Sequence, residues 1–340
     1  MKRNWKIMAG CVASAFFLLV AGTLWLVAGH PLDITEPTFI YIDEDDTVDS
    51  VYVKLEKDLQ ASSLIGFRML AYGGGYASRI RPGAYKLKSS DSTWSIFRRL
   101  QTGRQTPIRL TVPSVRTMGQ FVKVVSRKLM MDSVSLENIV ADSTFISSLG
   151  YDSYTLPALF VPNTYEVYWT VSPRDFLIRM DKEHHRFWNQ NRLDKSNEIG
   201  FTPVEVCTIA SIVEEETANK AEKPVVAGLY INRLHAGMPL QADPTVKFAL
   251  QEFGLRRILH KHLVADSPYN TYKHAGLPPG PIRIPSVDGI DAVLNYAHHD
   301  YLYMCAKEDF SGTHNFSSNW KEHLNNARKY QKALNERNIK

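Results

Sequence analysis

The sequence has 340 residues, 44% apolar and 22% charged, the balance of an ordinary globular protein with room for two or three domains. A net charge of +5 permits an anionic polymer as partner but does not demand one. Three cysteines, Cys11, Cys207 and Cys305, exclude a dense disulfide framework.

From Ile7 to Gly29 run 23 residues without a charge. At about 1.5 Å per helical residue this run crosses a bilayer core of roughly 30 Å. Lys2, Arg3 and Lys6 precede it, Asp33 and Glu36 follow, and no Lys or Arg returns before Lys54. The positive-inside rule makes residues 1–6 a cytoplasmic tail, 7–29 a single-pass anchor in the lipid bilayer, and sends 30–340 outside. The expected location is the inner (cytoplasmic) membrane, with the bulk of the chain extracytoplasmic or periplasmic. The run exceeds the roughly 7–15-residue core of a secretory signal, and no clear small-x-small site closes it. An uncleaved anchor is therefore expected.

Residues 30–37 read as a linker. Thr38–Ile42 (TFIYI) has the β-branched and aromatic content of a strand. Residues 48–59 and 62–72 read as helices, and a run of three glycines then breaks the chain. Residues 80–87 (IRPGAYKL) return as a strand, 92–101 form a short helix closed by Gly103, and 107–112 form another strand. The β-α-α-β-α unit over 38–106 has the size of a small binding module. Residues 107–200 make a connecting α/β region, with helices between 117 and 155 and a long amphipathic helix at 174–192. From 201 to 340 an α+β domain is expected. Its first helix opens on the capping box Thr202-Pro203-Val204-Glu205 and runs from 203 to about 219. Further helices fall near 224–237, 245–252 and 289–298, then the strand YLYMCA, then a helix from about 319. Cys207 and Cys305 fall in apolar elements and read as buried small hydrophobes.

The stretch Glu214-Glu215-Glu216 carries the first chemical signal. On the 203–219 helix an apolar stripe runs through Val206, Ile209, Ala210, Val213 and Thr217. Glu215 falls opposite it and is expected to be the most solvated. Glu214 and Glu216 flank the stripe, and the helical wheel does not choose between them. The negative end of the helix dipole, neighbouring like charges and partial burial all raise a carboxyl pKa there. A raised glutamate is what a general acid needs at neutral pH. A solvated acidic helix end without a role is the alternative.

Downstream stand Asn232-Arg233-Leu234, then Leu240 to Val246 (LQADPTV), Tyr269 to Tyr272 (YNTY), Gly276 to Ile282 (GLPPGPI), Tyr301 to Tyr303 and His314-Asn315-Phe316. This ordered set, with ASIVExE before it, resembles the MltG (YceG-like) family, membrane-anchored endolytic murein transglycosylases. The 38–106 module resembles the family's LysM-like module through IRPGAYKL, the helix after it and Gly103. Two departures stand out. Pro113-Ser114-Val115 replaces a Pro-Glu-Gly turn, and Pro162-Asn163-Thr164-Tyr165 replaces Pro-Asp-Thr-Tyr, which leaves the roles of Ser114 and Asn163 open.

The resemblance implies that Glu216, the second Glu of ExE, is the catalytic acid and Glu214 its companion. It also implies a glycan cleft built from the Asp243-Pro244-Thr245 turn, the Tyr269–Tyr272 segment and the Gly276–Gly280 loop. Within it, Asn270 and Gln241 are candidates to hydrogen-bond acetamido groups, and Tyr269 and Tyr272 to stack on sugars. Asn232, Thr245 and His314 are supporting candidates. The expected reaction cleaves the MurNAc-β-1,4-GlcNAc bond of nascent peptidoglycan to 1,6-anhydro-MurNAc ends, limiting strand length. Two alternatives remain: a hydrolytic muramidase using Asp243 as second carboxylate, and a non-catalytic peptidoglycan-binding scaffold. Peptidoglycan polymerases fit an enzyme acting on nascent strands, although no interface for them is legible. His184-His185, His260-x-His262 and His298-His299 lack metalloprotease spacing with a third ligand, so no metal and no cofactor are expected. Arg98-Arg99 and Arg256-Arg257 are isolated pairs rather than a nucleic-acid surface.

Overall fold

The computed structural model describes residues 2–29, 36–59, 64–255 and 257–337. Most of the expected 30–37 linker, the start of the 62–72 helix and Arg256 lie outside the described residues. The chain forms two compact units.

The first unit takes the chain up to Leu110, with Lys128–Met130 and Glu166–Val171. It begins with helix α1 (Lys2–Ala28), whose Ile7–Ala28 stretch has a mean hydropathy of 2.2 over its most apolar window. That helix is long and apolar enough to serve as a single-pass anchor. Strand β1 (Thr38–Ile42), helices α2 (Val48–Leu59) and α3 (Ile65–Gly73), strand β2 (Gly83–Leu87) and helix α4 (Thr93–Thr102) follow. β1 and β2 pair antiparallel, Ile40 opposite Tyr85. Alternation puts Ile40, Ile42, Tyr85 and Leu87 into one core with Val51, Leu55, Phe67, Ile96 and Leu100. The Ser92 hydroxyl caps α4 by accepting from Ser95 N–H. Gly103 ends it at φ +68, a left-handed conformation that a side chain disfavours. Strand β2 is shorter than the expected 80–87. Proline at 82 lacks the N–H that a ladder needs.

Strand β3 (Ile108–Thr111) leads into the second unit. There lie helices α5 (Met118–Ser126), α6 (Ser133–Ala141) and α7 (Ser143–Ser148). Strand β4 (Thr164–Val167), whose last two residues fall in the first unit, helices α8 (Pro173–Phe187) and α9 (Gln190–Glu198), and α10 (Pro203–Glu216) come next. The rest comprises α11 (Lys223–His235), α12 (Asp243–Leu250), α13 (His260–Leu263), α14 (Val287–Leu294), β5 (Tyr303–Ala306), β6 (His314–Ser317) and α15 (Trp320–Glu336). The strands form three two-stranded ribbons, β1–β2, β3–β4 and β5–β6, so the fold is a helix-rich mixture of α and β. Residues 111–127, 131–165 and 172–200 cluster with the later helices in this unit.

The expected 174–192 helix is two helices. The Asn189 side chain accepts from Arg192 N–H and caps a new helix, α9. α10 opens on the Thr202–Glu205 capping box but ends at Glu216, where Thr217 turns extended at φ −139. α14 stops at Leu294, earlier than the expected 298.

Candidate active site

Helix α10 is not amphipathic. Every residue from Val206 to Val213 is buried, because α11, α12 and α14 pack around it. A central helix has no solvent face, so carboxylates at its end need partners. The three glutamates find different ones.

Glu215, expected to be solvated, is held in ion pairs. The Arg116 guanidinium donates through Nε and Nη2 to its two oxygens, both at 2.8 Å, and Arg283 Nη1 donates to Oε1 at 2.9 Å. Glu214 accepts from Lys223 Nζ at 3.1 Å, from Ser286 N at 2.8 Å and from the Ser286 hydroxyl. Ser286 is the N-cap of α14, so Glu214 ties α10 to α11 and α14. Its position is structural rather than that of a companion acid in the cavity. Ser114 belongs to the same clamp: its hydroxyl donates to Ile284 O at 2.6 Å and accepts from Arg283 Nη2 at 2.8 Å.

Among the described residues no cation enters the hydrogen-bonding shell of Glu216. The Tyr230 hydroxyl on α11 donates to its Oε1 at 2.5 Å. Burial pushes its carboxyl up to about 7, against the Tyr230 hydrogen bond, with the Asp243 charge adding to the rise. It faces an open cavity of about 420 Å³. Asp243, at the start of α12, lines the cavity and accepts from the Tyr272 hydroxyl at 2.7 Å. Burial and the Asp243 charge raise the Tyr272 phenol well above its usual range.

Gln241 also lines the cavity. Its φ of +51 is unusual for a residue with a Cβ. The conformation is held from both ends: its N–H donates to Thr271 O at 3.1 Å, and Arg233 Nη2 donates to its Oε1 at 2.8 Å. Arg233 also donates through Nε and Nη2 to Pro239 O and through Nη1 to Leu302 O. Part of the lining is aromatic, and the Arg233 guanidinium lies 5.8 Å over the Tyr303 ring. Tyr303 on β5 packs 5.6 Å from Trp320 and 5.4 Å from His323 on α15, and all three line the cavity. His314 on β6 lines it too. Its N–H donates to Glu222 Oε1 at 2.7 Å, while the other Glu222 oxygen accepts from Thr217 at 3.0 Å. Glu222 thus fixes the chain just past Glu216 against β6.

The remaining candidates lie elsewhere. Asn232 Nδ2 donates to His299 O and Tyr301 O at 2.6 and 3.1 Å and holds the loop before β5. Thr245 is fully buried against Thr271 at 2.8 Å. Asn270 is fully buried: its amide donates to Leu263 O and Ala265 O, and its carbonyl accepts from Tyr272 N–H. It has no free group for an acetamide. Tyr269 packs 4.6 Å from Phe248. The Gly276–Gly280 loop lines no part of the cavity. At Gly280 a Cβ would fall 2.1 Å from Tyr154 O, so close packing fixes that glycine. Among the described residues no three His, Cys, Asp or Glu side chains gather as a metal site.

Tyr230, Trp320 and His323 carry no mark in the sequence, and Arg233 and Tyr303 stand there only inside the Asn232–Leu234 and Tyr301–Tyr303 motifs, not as site candidates. Arg233 was adjacent to the Asn232 candidate, and a helix places neighbours on different faces.

The sequence profile of the YceG-like family matches residues 40–329. The chain belongs to that family. It is 29% identical over 282 residues to an endolytic murein transglycosylase of Bacillus subtilis, covering 77% of this chain and 76% of that one. It is 29% identical over 333 residues to an endolytic murein transglycosylase of Streptococcus pneumoniae, but spans only 59% of that relative's length. A crystal structure of a putative yceG-like protein from Listeria monocytogenes superposes with a TM-score of 0.57 at 25% identity, covering 85% of this chain and 98% of that one. The fold is thus shared by this YceG-like chain over most of its length.

Proposed function

We propose that this YceG-like protein is a membrane-anchored lytic transglycosylase that cleaves the MurNAc-β-1,4-GlcNAc bond of nascent peptidoglycan and so limits strand length. The observation that carries the reading is Glu216: a carboxyl raised to about 7, facing an open polar cavity with a partly aromatic lining. Relatives named as murein transglycosylases support the substrate class.

Cleavage of a glycosidic bond passes through an oxocarbenium-like state and needs a proton on the leaving oxygen. A carboxyl near 7 is protonated in a useful fraction at neutral pH and still basic enough to act in reverse. Protonated Glu216 gives its proton to the leaving GlcNAc oxygen as the C1–O bond breaks. The Glu216 carboxylate then takes the proton of the MurNAc 6-hydroxyl, whose oxygen bonds to C1. The ring closes as a 1,6-anhydro end, no water is consumed, and Glu216 returns protonated. Tyr230 holds the carboxyl in place throughout. Trp320 offers an exposed face for a sugar ring, and Gln241 offers a polar side chain in the same cavity.

The first unit's β-α-α-β-α order and an open cavity of about 410 Å³ beside Arg81, Gly103 and Gln105 support a LysM-like, glycan-binding role for residues 38–106. The charge asymmetry around Ile7–Gly29 supports a cytoplasmic N-terminus in the inner membrane. Peptidoglycan polymerases suit this placement as partners.

Asp243 in the same cavity gives one observation to the hydrolytic reading, in which it activates water. Product chemistry separates the two. Full-length protein is incubated with uncrosslinked nascent glycan, and products are read by mass spectrometry beside Glu216→Gln. Anhydro ends, lighter by one water than reducing ends and absent with Glu216→Gln, are expected. Reducing ends would make the enzyme a muramidase. A folded protein that binds glycan without cutting it would be a scaffold.

A further inference from the structure

Helix α3 is apolar on two faces. One, with Phe67 and Ala71, packs into the core of the first unit. The other is open to solvent: Met69 is 47% exposed and Tyr72 93%. Ile65, on the same stripe at i, i+4, i+7 spacing, is 59% exposed. On the next helix, Trp94 is 48% exposed. Single exposed apolar residues are normal, but a helix stripe flanked by a tryptophan is an interaction surface.

The position of this surface identifies what covers it. α3 and α4 are the elements that meet the end of α1. At Gly66 a Cβ would fall 2.2 Å from the Leu26 carbonyl oxygen, and Thr93 N–H donates to Gly29 O at 3.3 Å. The exposed Ile65 and Trp94 are the chain neighbours of those two contact residues. Trp25, in the last turns of α1, is 64% exposed. The charge fits as well. α3 and α4 carry Arg68, Arg98 and Arg99 and no Asp or Glu. Arg68 pairs with Glu56 and Arg99 with Asp91, while Arg98 lies 5.7 Å over the Trp94 ring. Aromatic side chains at the end of an apolar helix are the composition of the bilayer interface, and long arginine side chains there reach the polar headgroups.

We propose that Met69, Tyr72 and Trp94, with Ile65 and Arg98, lie in the headgroup layer of the bilayer that α1 enters. The first unit is then not a module swinging on a tether. Its α3–α4 face is pressed to the lipid, which sets its height above the membrane and the direction in which its opposite side looks. The proposal rests on reading α1 as the membrane-spanning anchor.

The test uses the full chain reconstituted into phosphatidylethanolamine–phosphatidylglycerol vesicles. An environment-sensitive fluorescent amino acid replaces Tyr72, whose exposure leaves the core untouched. Parallel proteins carry it at Leu18, within the apolar stretch of α1, and at Asp45, on the charged turn after β1. Quenching by lipids bearing a nitroxide near the headgroup is read against quenching by aqueous iodide. Docking predicts that the probe at 72 is quenched by the shallow lipid nitroxide and shielded several-fold from iodide relative to 45. A probe at 72 as open to iodide as that at 45, with 18 shielded, would overturn the docking and leave the anchor standing. Exposure at 18 as well would overturn both.

Discussion

The last turn of α10 holds two carboxylate environments side by side. On one side Glu214 and Glu215 are saturated by Lys223, Arg283, Arg116 and Ser286. On the other, Glu216 has a phenol as its hydrogen-bond donor and an open cavity before it. The three are adjacent in sequence and on one helix, so residue type, helix dipole and chain position barely distinguish them. Partner supply does. A carboxylate ringed by cations is a fixed anion that ties helices together. One that is half-buried beside a neutral donor keeps its proton near neutrality and can give it away.

The strongest way to break this contrast is to remove the acid. Glu216→Gln keeps the shape and an acceptor for Tyr230 but has no proton to transfer. Glycan cleavage is expected to fall by about 10³-fold or more, within the range for loss of a general acid, with an unchanged circular dichroism spectrum. Glu214→Gln, in the same assay, is expected to retain cleavage by the folded fraction. Equal loss in both would mean that the two sides form one catalytic unit.

The clamp side predicts stability instead. The Glu214 and Lys223 side chains are only 8% and 9% exposed. Glu214→Ala leaves Lys223 buried without its anion and Ser286 without its acceptor. The cost expected from breaking one side of a buried pair is about 3–5 kcal/mol, read by denaturant unfolding. A loss near zero would show that Lys223 and Arg283 find water or other partners without cost.

This division is only partly legible in the sequence. Local chemistry reads well: Thr202 and Glu205 announce the start of α10, and Gly103 the end of α4, because those signals act over a few residues. Burial around α10 does not. An apolar stripe through Val206, Ile209 and Val213 fits an amphipathic helix, and nothing local reveals that the polar Thr208 and Ser211 are covered as well. Glu215 reads as solvated because its partners Arg116 and Arg283 stand 99 and 68 positions away. Asn270 and Tyr269 sit in a polar loop that suggests ligand contact, yet the loop uses them to satisfy its own backbone and to pack on Phe248. The choice of Glu216 over Glu214 came from family resemblance, and the geometry that separates them is tertiary.

A smaller effect sharpens the comparison through pH. Folding raises the Glu216 carboxyl from 4.5 to about 7. A raised acid binds its proton more tightly when folded, so the folded state is favoured below 4.5 and loses that advantage as pH rises through 7. The loss is at most about 3 kcal/mol above pH 7. Glu216→Gln removes it, so the variant is expected to melt higher than the parent at pH 8 and level with it at pH 4. The reverse order would mean that Glu216 is stabilised as an anion.

The smallest predicted effect separates burial from hydrogen bonding at Glu216 itself. The Tyr230 hydroxyl favours the ionised carboxylate and so works against burial. Tyr230→Phe keeps the ring and removes that donor, leaving burial less opposed. Glu216 then stays protonated to higher pH. The limb of kcat/KM that falls as pH rises through about 7 is expected to move upward by about one pH unit, the equivalent of one hydrogen bond to a charged group. Turnover at the optimum should drop as well, because the carboxyl loses the contact that aims it. A lower rate with an unmoved limb would assign Tyr230 to shaping the cavity alone. A limb that moves without loss of rate would mean that the proton's energy, and not the carboxyl's aim, is what Tyr230 controls.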